Sequence, residues 1–180
     1  QGIYEALITT EHADRDGDIV VAEGGELGNY LRNPVVLWAH DYHALPVAKA
    51  VELEVMAGLG IRARFQFPAA GVNPQADIVR QLWHDGFLNA TSIGFAPVES
   101  VEMETAGSGW WKPRKYLKWE LLEFSIVPVP ANAEALRLGL KTLERALEKS
   151  GRVLSGANEG KIREAQNLLG EVLAQLGEQD

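Results

Sequence analysis

Tyr116-Leu117-Lys118-Trp119-Glu120-Leu121-Leu122-Glu123-Phe124-Ser125-Ile126-Val127 reads as a β-strand by its alternation. Leu117, Trp119, Leu121, Glu123, Ser125 and Val127 fall on one face, Tyr116, Lys118 and Glu120 on the other. Period two is the mark of a strand with one buried side. A carboxylate on an otherwise apolar face is costly unless it is paired. Glu123 therefore asks for a partner, either an imidazole or, in a purely structural role, an arginine. Glu120, on the more polar face, needs only solvent.

Working outward, strand-like runs recur along the first two thirds of the chain. They cover Ile3–Thr9, Ile19–Val21, Val35–Trp38, Pro46–Val55, Gly60–Phe67, Leu88–Glu99 and about Trp111–Val127. In the fifth run Ile61, Ala63, Phe65 and Phe67 share one face. Asp16-Gly17 reads as a hairpin-type turn, and Thr105–Gly109 as a flexible loop. Six or seven short strands fit a barrel or strongly curled sheet better than a βαβ fold. One helix interrupts them at about residues 74–86, with Asn73 as N-cap, Pro74 at its first position, an apolar stripe of Ile78, Leu82 and Trp83, and Gly86 at its end. Beyond Pro130 the period turns helical. Leu136, Leu140, Leu143 and Leu147 form one seam, and Ile162, Ala165, Leu169, Val172 and Leu176 a second after Ser150-Gly151. Each seam packs on the barrel, on its fellow, or on an assembly partner. The expected class is mainly β with flanking helices, α+β overall. The expected division is a barrel domain over residues 1–130 and a two-helix segment over 131–180.

Composition narrows the partners. A chain of 180 residues with 46% hydrophobic and 23% charged residues is that of an ordinary globular domain with one core. A net charge of −8 argues against general nucleic-acid binding, which needs clustered Lys and Arg to neutralise phosphate. The sequence contains no cysteine, which excludes a disulfide framework, a thiolate metal site and a cysteine nucleophile. No apolar run reaches the roughly 20 residues that a membrane-spanning helix requires, and no leader-like pattern opens the chain. An intracellular, soluble protein without cofactor is the default expectation. The chain opens on Gln1 rather than Met, as a trimmed or processed product does.

Three separate strands supply a base, a hydroxyl and an acid. His40 follows Asn33-Pro34-Val35-Val36-Leu37-Trp38-Ala39, at the end of a buried strand. There an imidazole supported by a carboxylate titrates near neutral pH and serves as a base; equally, a core histidine is satisfied by a backbone carbonyl. Ser92 lies in Ala90-Thr91-Ser92-Ile93-Gly94-Phe95, where Gly94 removes bulk so that another backbone can approach. A lone strand serine is ordinarily structural, and this one lacks the Gly-x-Ser-x-Gly elbow of an α/β-hydrolase. Ser125 is a competing nucleophile without a neighbouring glycine to open space. His40 and His43 have metal-like spacing, but no third ligand stands at motif distance, so no metal is expected. Asp14-Arg15-Asp16-Gly17-Asp18 resembles the start of a calcium loop whose twelfth position is Gly25 rather than Glu, and it reads as a tight turn.

The ordered blocks Asp-Arg-x-Gly-Asp, Asn-Pro-Val-Val-Leu-Trp-Ala-His-Asp-Tyr with Pro46-Val47-Ala48-Lys49-Ala50, Thr-Ser-Ile-Gly-Phe, and Glu-Leu-Leu-Glu-Phe-Ser-Ile-Val-Pro-Val-Pro-Ala-Asn together resemble the tailed-phage prohead protease family over residues 5–140. Ala48 replaces a glycine common in that family. The tail Gly151–Asn158 is also similar to a recurrent one. The resemblance implies a mainly antiparallel β-barrel of six or seven strands flanked by helices, like that of the herpesvirus assemblins, with His40 as base, Ser92 as nucleophile and Glu123 as third member. It implies a serine endopeptidase that cuts scaffold and major capsid protein segments, and itself, inside the immature prohead in the bacterial cytoplasm. Backbone amides near Gly94 or after Pro128 are the places to look for an oxyanion hole. Homo-oligomerisation is a further expectation from the herpesvirus likeness. The rival reading is a non-enzymatic assembly scaffold acting through its helical tail.

Overall fold

A computed structural model describes residues 2–104 and 112–138. The expected helices beyond 138, the recurrent tail at 151–158 and the loop at 105–109 lie outside the described residues. Eight strands form a single sheet: β1 (Tyr4–Thr10), β2 (Ile19–Val20), β3 (Gly25–Glu26), β4 (Val35–Trp38), β5 (Ala48–Met56), β6 (Gly60–Gln66), β7 (Ala90–Glu102) and β8 (Arg114–Val127).

β8 is the axis of this sheet. Along one edge it takes β7, antiparallel, over nearly its full length. Along the other it takes β2, β3 and β4 in turn, all parallel. The chain climbs β8 in three short steps, separated by one-turn 3-10 segments at Ala22–Gly24 and Tyr30–Arg32. From β4 the sheet continues antiparallel through β5 and β6 to β1. The seam between β1 and β7 is bridged by the extended residues 135–138. Leu7 N–H donates to Leu136 O at 2.9 Å, and Thr91 N–H to Ala135 O at 2.9 Å, with bridges Ala6 to Arg137 and Ala90 to Leu136. The sheet thereby becomes a nearly closed barrel.

Two expectations change here. The sheet is mixed, with eight strands, where a mainly antiparallel barrel of six or seven was expected. Leu136 lies in an extended bridge, where sequence periodicity predicted a helix. The turn at Asp16-Gly17 exists, with Gly17 at φ +85° and Asp14 Oδ1 accepting from the N–H groups of Asp16 and Asp18. It joins no hairpin, because β1 pairs with β6 and β2 with β8.

Helix α1 (Pro74–His84) begins as its sequence predicts: Asn73 accepts from Gln75 N–H, Pro74 opens the helix, and Gly86 follows its end at φ +82°. Its buried side differs from the predicted stripe. Ala76, Val79 and Trp83 face inward, while Ile78 is exposed. Trp83 packs edge-on against Phe65 with ring centroids 5.5 Å apart, and Phe65 in turn meets Phe124 at 5.9 Å. Such pairs add about 0.5–1.5 kcal/mol each beyond the area they bury.

The alternation of β8 breaks at Leu122. Gly94 pairs with Glu123 and Phe95 with Leu121, so Leu122 is an extra residue, a β-bulge, and it is exposed. A bulge shifts which residues face inward. Before it Trp119 and Leu121 enter the core; after it Phe124 and Ile126 do. Glu123 and Ser125 are thus turned to the opposite face from Trp119 and Leu121, and the predicted single face of Leu117 to Val127 is two half-faces.

Candidate active site

Glu123 and Ser125, turned outward by the bulge, meet residues from both neighbouring strands. β4 ends in a tight turn, Trp38-Ala39-His40-Asp41, closed by Asp41 N–H donating to Trp38 O at 3.0 Å. Both central residues have positive φ, +51° at Ala39 and +60° at His40. For residues with a Cβ that conformation costs about 1–2 kcal/mol each. Two bonds to β8 hold it in place: Ala39 N–H donates to Ile126 O at 3.0 Å, and His40 N–H to Ser125 Oγ at 3.0 Å.

The turn delivers the imidazole to the acid. His40 Nδ1 lies 2.7 Å from Glu123 Oε1, and the carboxylate is 1% exposed against 38% for the imidazole. An ionised carboxylate only accepts, so Nδ1 carries the proton and the Nε2 lone pair stays free. The second oxygen, Oε2, accepts from Ser125 Oγ at 2.7 Å. The other carboxylates that could serve His40 are engaged elsewhere: Asp41 Oδ1 takes the His43 N–H, and Glu120 takes the Asn29 amide. Neither arginine nor backbone carbonyl is the partner that Glu123 and His40 found.

Ser92 stands directly across from Ser125 in the β7–β8 register. Opposed residues of an antiparallel pair share a face with Cβ atoms about 4.5–5.5 Å apart, so Ser92, Ser125 and Glu123 lie on one surface. The structure joins His40 to Glu123 by a hydrogen bond. It does not join Ser92 to His40: the Ser92 side chain, 5% exposed, has no hydrogen bond among the described residues. Ser92 instead lines a cavity of about 40 Å³ whose walls include Asp14, Asp18, Phe95 and Asn132. Asp14 is buried enough that its carboxyl is pushed above the usual range, against the two backbone N–H groups that favour its charge.

Gly94, two residues on, is opposite Glu123. A Cβ there would come within 2.3 Å of Glu123 Oε1 and 2.7 Å of Tyr42 Oη. The glycine makes room for side chains, not for the backbone that its sequence context predicted. Tyr42 was not singled out in the sequence; its ring is largely exposed, and burial of its hydroxyl end, aided by the negative charge of Glu123, pushes the phenol above its usual range. It stays neutral and keeps its proton. Gly94→Ala is expected to displace the carboxylate and slow reaction at the site about a hundredfold, read as the rate of labelling by an active-site serine probe. An unchanged rate would mean that the carboxylate has space to spare.

The remaining candidates are dispersed. His43 is exposed in a turn, His12 pairs with Glu134 at 2.9 Å, and His84 pairs with Asp85 at 3.0 Å. Ser125, read from sequence as a rival nucleophile, is fully buried, with its proton committed to Glu123. The broken alternation at Leu121-Leu122 is the one sequence signal that separates its position from the core face.

Residues 27–149 match the family model described as Caudovirus prohead serine protease. The chain is 29% identical over 147 residues to the capsid polyprotein of Pseudomonas phage PAJU2, covering 79% of this chain and 20% of that protein. It is 30% identical over 128 residues to the prohead protease of Escherichia phage T5, covering 68% of this chain and 55% of that protein. The chain therefore spans a fifth of the first relative and about half of the second. No solved structure matches it. With a family model covering most of its length, the chain belongs to the Caudovirus prohead serine protease family.

Proposed function

We propose that this chain is a serine endopeptidase in which Ser92 is the nucleophile, His40 the general base and Glu123 the group that orients and charges the imidazole. The observation that carries this reading is the buried Glu123 carboxylate 2.7 Å from His40 Nδ1, with Ser92 on the same face one strand away. Ser92 Oγ attacks the peptide carbonyl carbon while its proton passes to His40 Nε2. As the C–N bond breaks, that proton goes to the departing amine. Water then attacks the ester, giving its proton to Nε2, which returns it to Ser92 Oγ. The hydrogen bond between Ser92 and His40 forms when substrate is bound, as catalytic contacts are often long in free enzymes.

The names of the relatives support a substrate class. One is a prohead protease and another a capsid polyprotein, so scaffold and capsid protein segments are the proposed substrates. Self-cleavage and action within the immature prohead, in the cytoplasm of the bacterial host, belong to the same reading, as does an assemblin-like barrel.

A fluorophosphonate serine probe tests the proposal on the full chain. Peptide mapping should place the adduct on Ser92, and prior Glu123 or His40 substitution should prevent it. An adduct elsewhere would remove Ser92 as nucleophile, and the absence of any adduct would favour the non-enzymatic scaffold.

A further inference from the structure

We propose that Ser125 is a positioning residue, tying the main chain of His40 to the carboxylate that holds its ring. This rests on the assignment of His40 as base and goes beyond it. Three hydrogen bonds close a loop through the site. Glu123 Oε1 accepts from His40 Nδ1 at 2.7 Å. Glu123 Oε2 accepts from Ser125 Oγ at 2.7 Å. Ser125 Oγ accepts from the His40 N–H at 3.0 Å. The covalent frame of His40 completes the circuit.

An imidazole pinned only at Nδ1 keeps freedom about its Cα, because two side-chain torsions separate the ring from the backbone. Fixing the backbone N–H through the same carboxylate removes that freedom. The need is real here, since Ala39 and His40 both sit at positive φ and the turn requires external anchors to persist. One anchor is the Ile126 carbonyl. The other is a side chain, and it is the one that reports to Glu123.

Ser125 suits this part and no other in the reaction. It is 0% exposed, so no peptide carbonyl reaches its oxygen. Its proton is given to Glu123 and one of its lone pairs to His40, which leaves it satisfied as donor and acceptor. Its position opposite Ser92 places it beside the reacting residue on the next strand while it takes no part in bond making.

The test compares wild type with Ser125→Ala and Ser125→Thr in the full chain, using a fluorophosphonate probe and the far-downfield proton resonance of His40 Nδ1. Ser125→Ala should lower the maximal rate of Ser92 phosphonylation by about a hundredfold with little change in probe affinity, and broaden or remove the Nδ1 resonance. Ser125→Thr keeps the hydroxyl and should recover the rate to within a few-fold. Should Ser125→Ala fail to fold, Ser125→Cys keeps the site filled with a slightly larger side chain that is only a weak donor and should show the same loss. A folded Ser125→Ala or Ser125→Cys protein that reacts at the wild-type rate with its Nδ1 proton intact overturns the proposal. A wild-type adduct on Ser125, or on no serine, overturns instead the catalytic assignment beneath it.

Discussion

Ser92→Ala should lower cleavage of a capsid-derived substrate roughly a millionfold, the scale at which loss of a serine nucleophile removes acyl transfer. The same substitution should leave the thermal midpoint nearly unchanged, because the Ser92 hydroxyl makes no hydrogen bond among the described residues and borders a cavity. Loss of activity without loss of stability marks a residue kept for chemistry. A structural hydroxyl would lower the melting point and leave the rate alone. Wild-type turnover in Ser92→Ala, measured by gel or mass spectrometry on the processed substrate, would end the nucleophile assignment.

Local signals carried the elements well. Val35–Trp38 forms a strand with the predicted bounds, and the helix at 74–84 starts on its predicted cap because Asn73 and Pro74 act through adjacent backbone. Pairing was another matter. Parallel neighbours arise from the path of the chain along β8, and no local pattern encodes which strand a two-residue segment such as Gly25-Glu26 will join. Tertiary context also decided α1, where the aromatic contact of Trp83 with Phe65 rotated the helix so that Ile78 faces away from the core.

The site divides along the same line. Glu123 stood out because an acid among apolar neighbours demands an explanation, and His40 because it ends an apolar strand; Ser92 stood out only in their company and through the family resemblance. The need of Glu123 for an imidazole was legible, and the 2.7 Å contact supplies it. The turn that aims His40 was not. Ala39 is a poor candidate for positive φ by residue type, though histidine is a commoner one, and the bonds from β8 that hold the turn come from a strand distant in sequence. Ser125 was misread for a related reason. The bulge at Leu122 moves it off the face of Trp119 and Leu121, and a strict two-residue period cannot anticipate a shift. The cue was the apolar doublet Leu121-Leu122 followed by Phe124 and Ile126 on the other parity.

Glu123→Gln should cost about ten-thousandfold in turnover, the loss seen when the acid of a serine triad becomes an amide. The substitution keeps the volume of a side chain that is 1% exposed, so the barrel should remain folded. It changes what the two oxygens do. Glu123 now accepts at both, from His40 Nδ1 and from Ser125 Oγ, whereas glutamine has one acceptor and one donor. With its amide nitrogen toward His40, the proton moves from Nδ1 to Nε2, and the imidazole can no longer take the proton of Ser92. With the nitrogen toward Ser125, that hydroxyl receives donors from both the amide and the His40 N–H, and its own proton loses its acceptor. Either arrangement also removes the negative charge that stabilises the imidazolium formed during attack. Turnover should therefore collapse while the circular dichroism spectrum and thermal midpoint change little. A Glu123→Gln protein that processes substrate at the wild-type rate would leave a histidine–serine dyad in place of the triad, with Glu123 reduced to a brace for the turn.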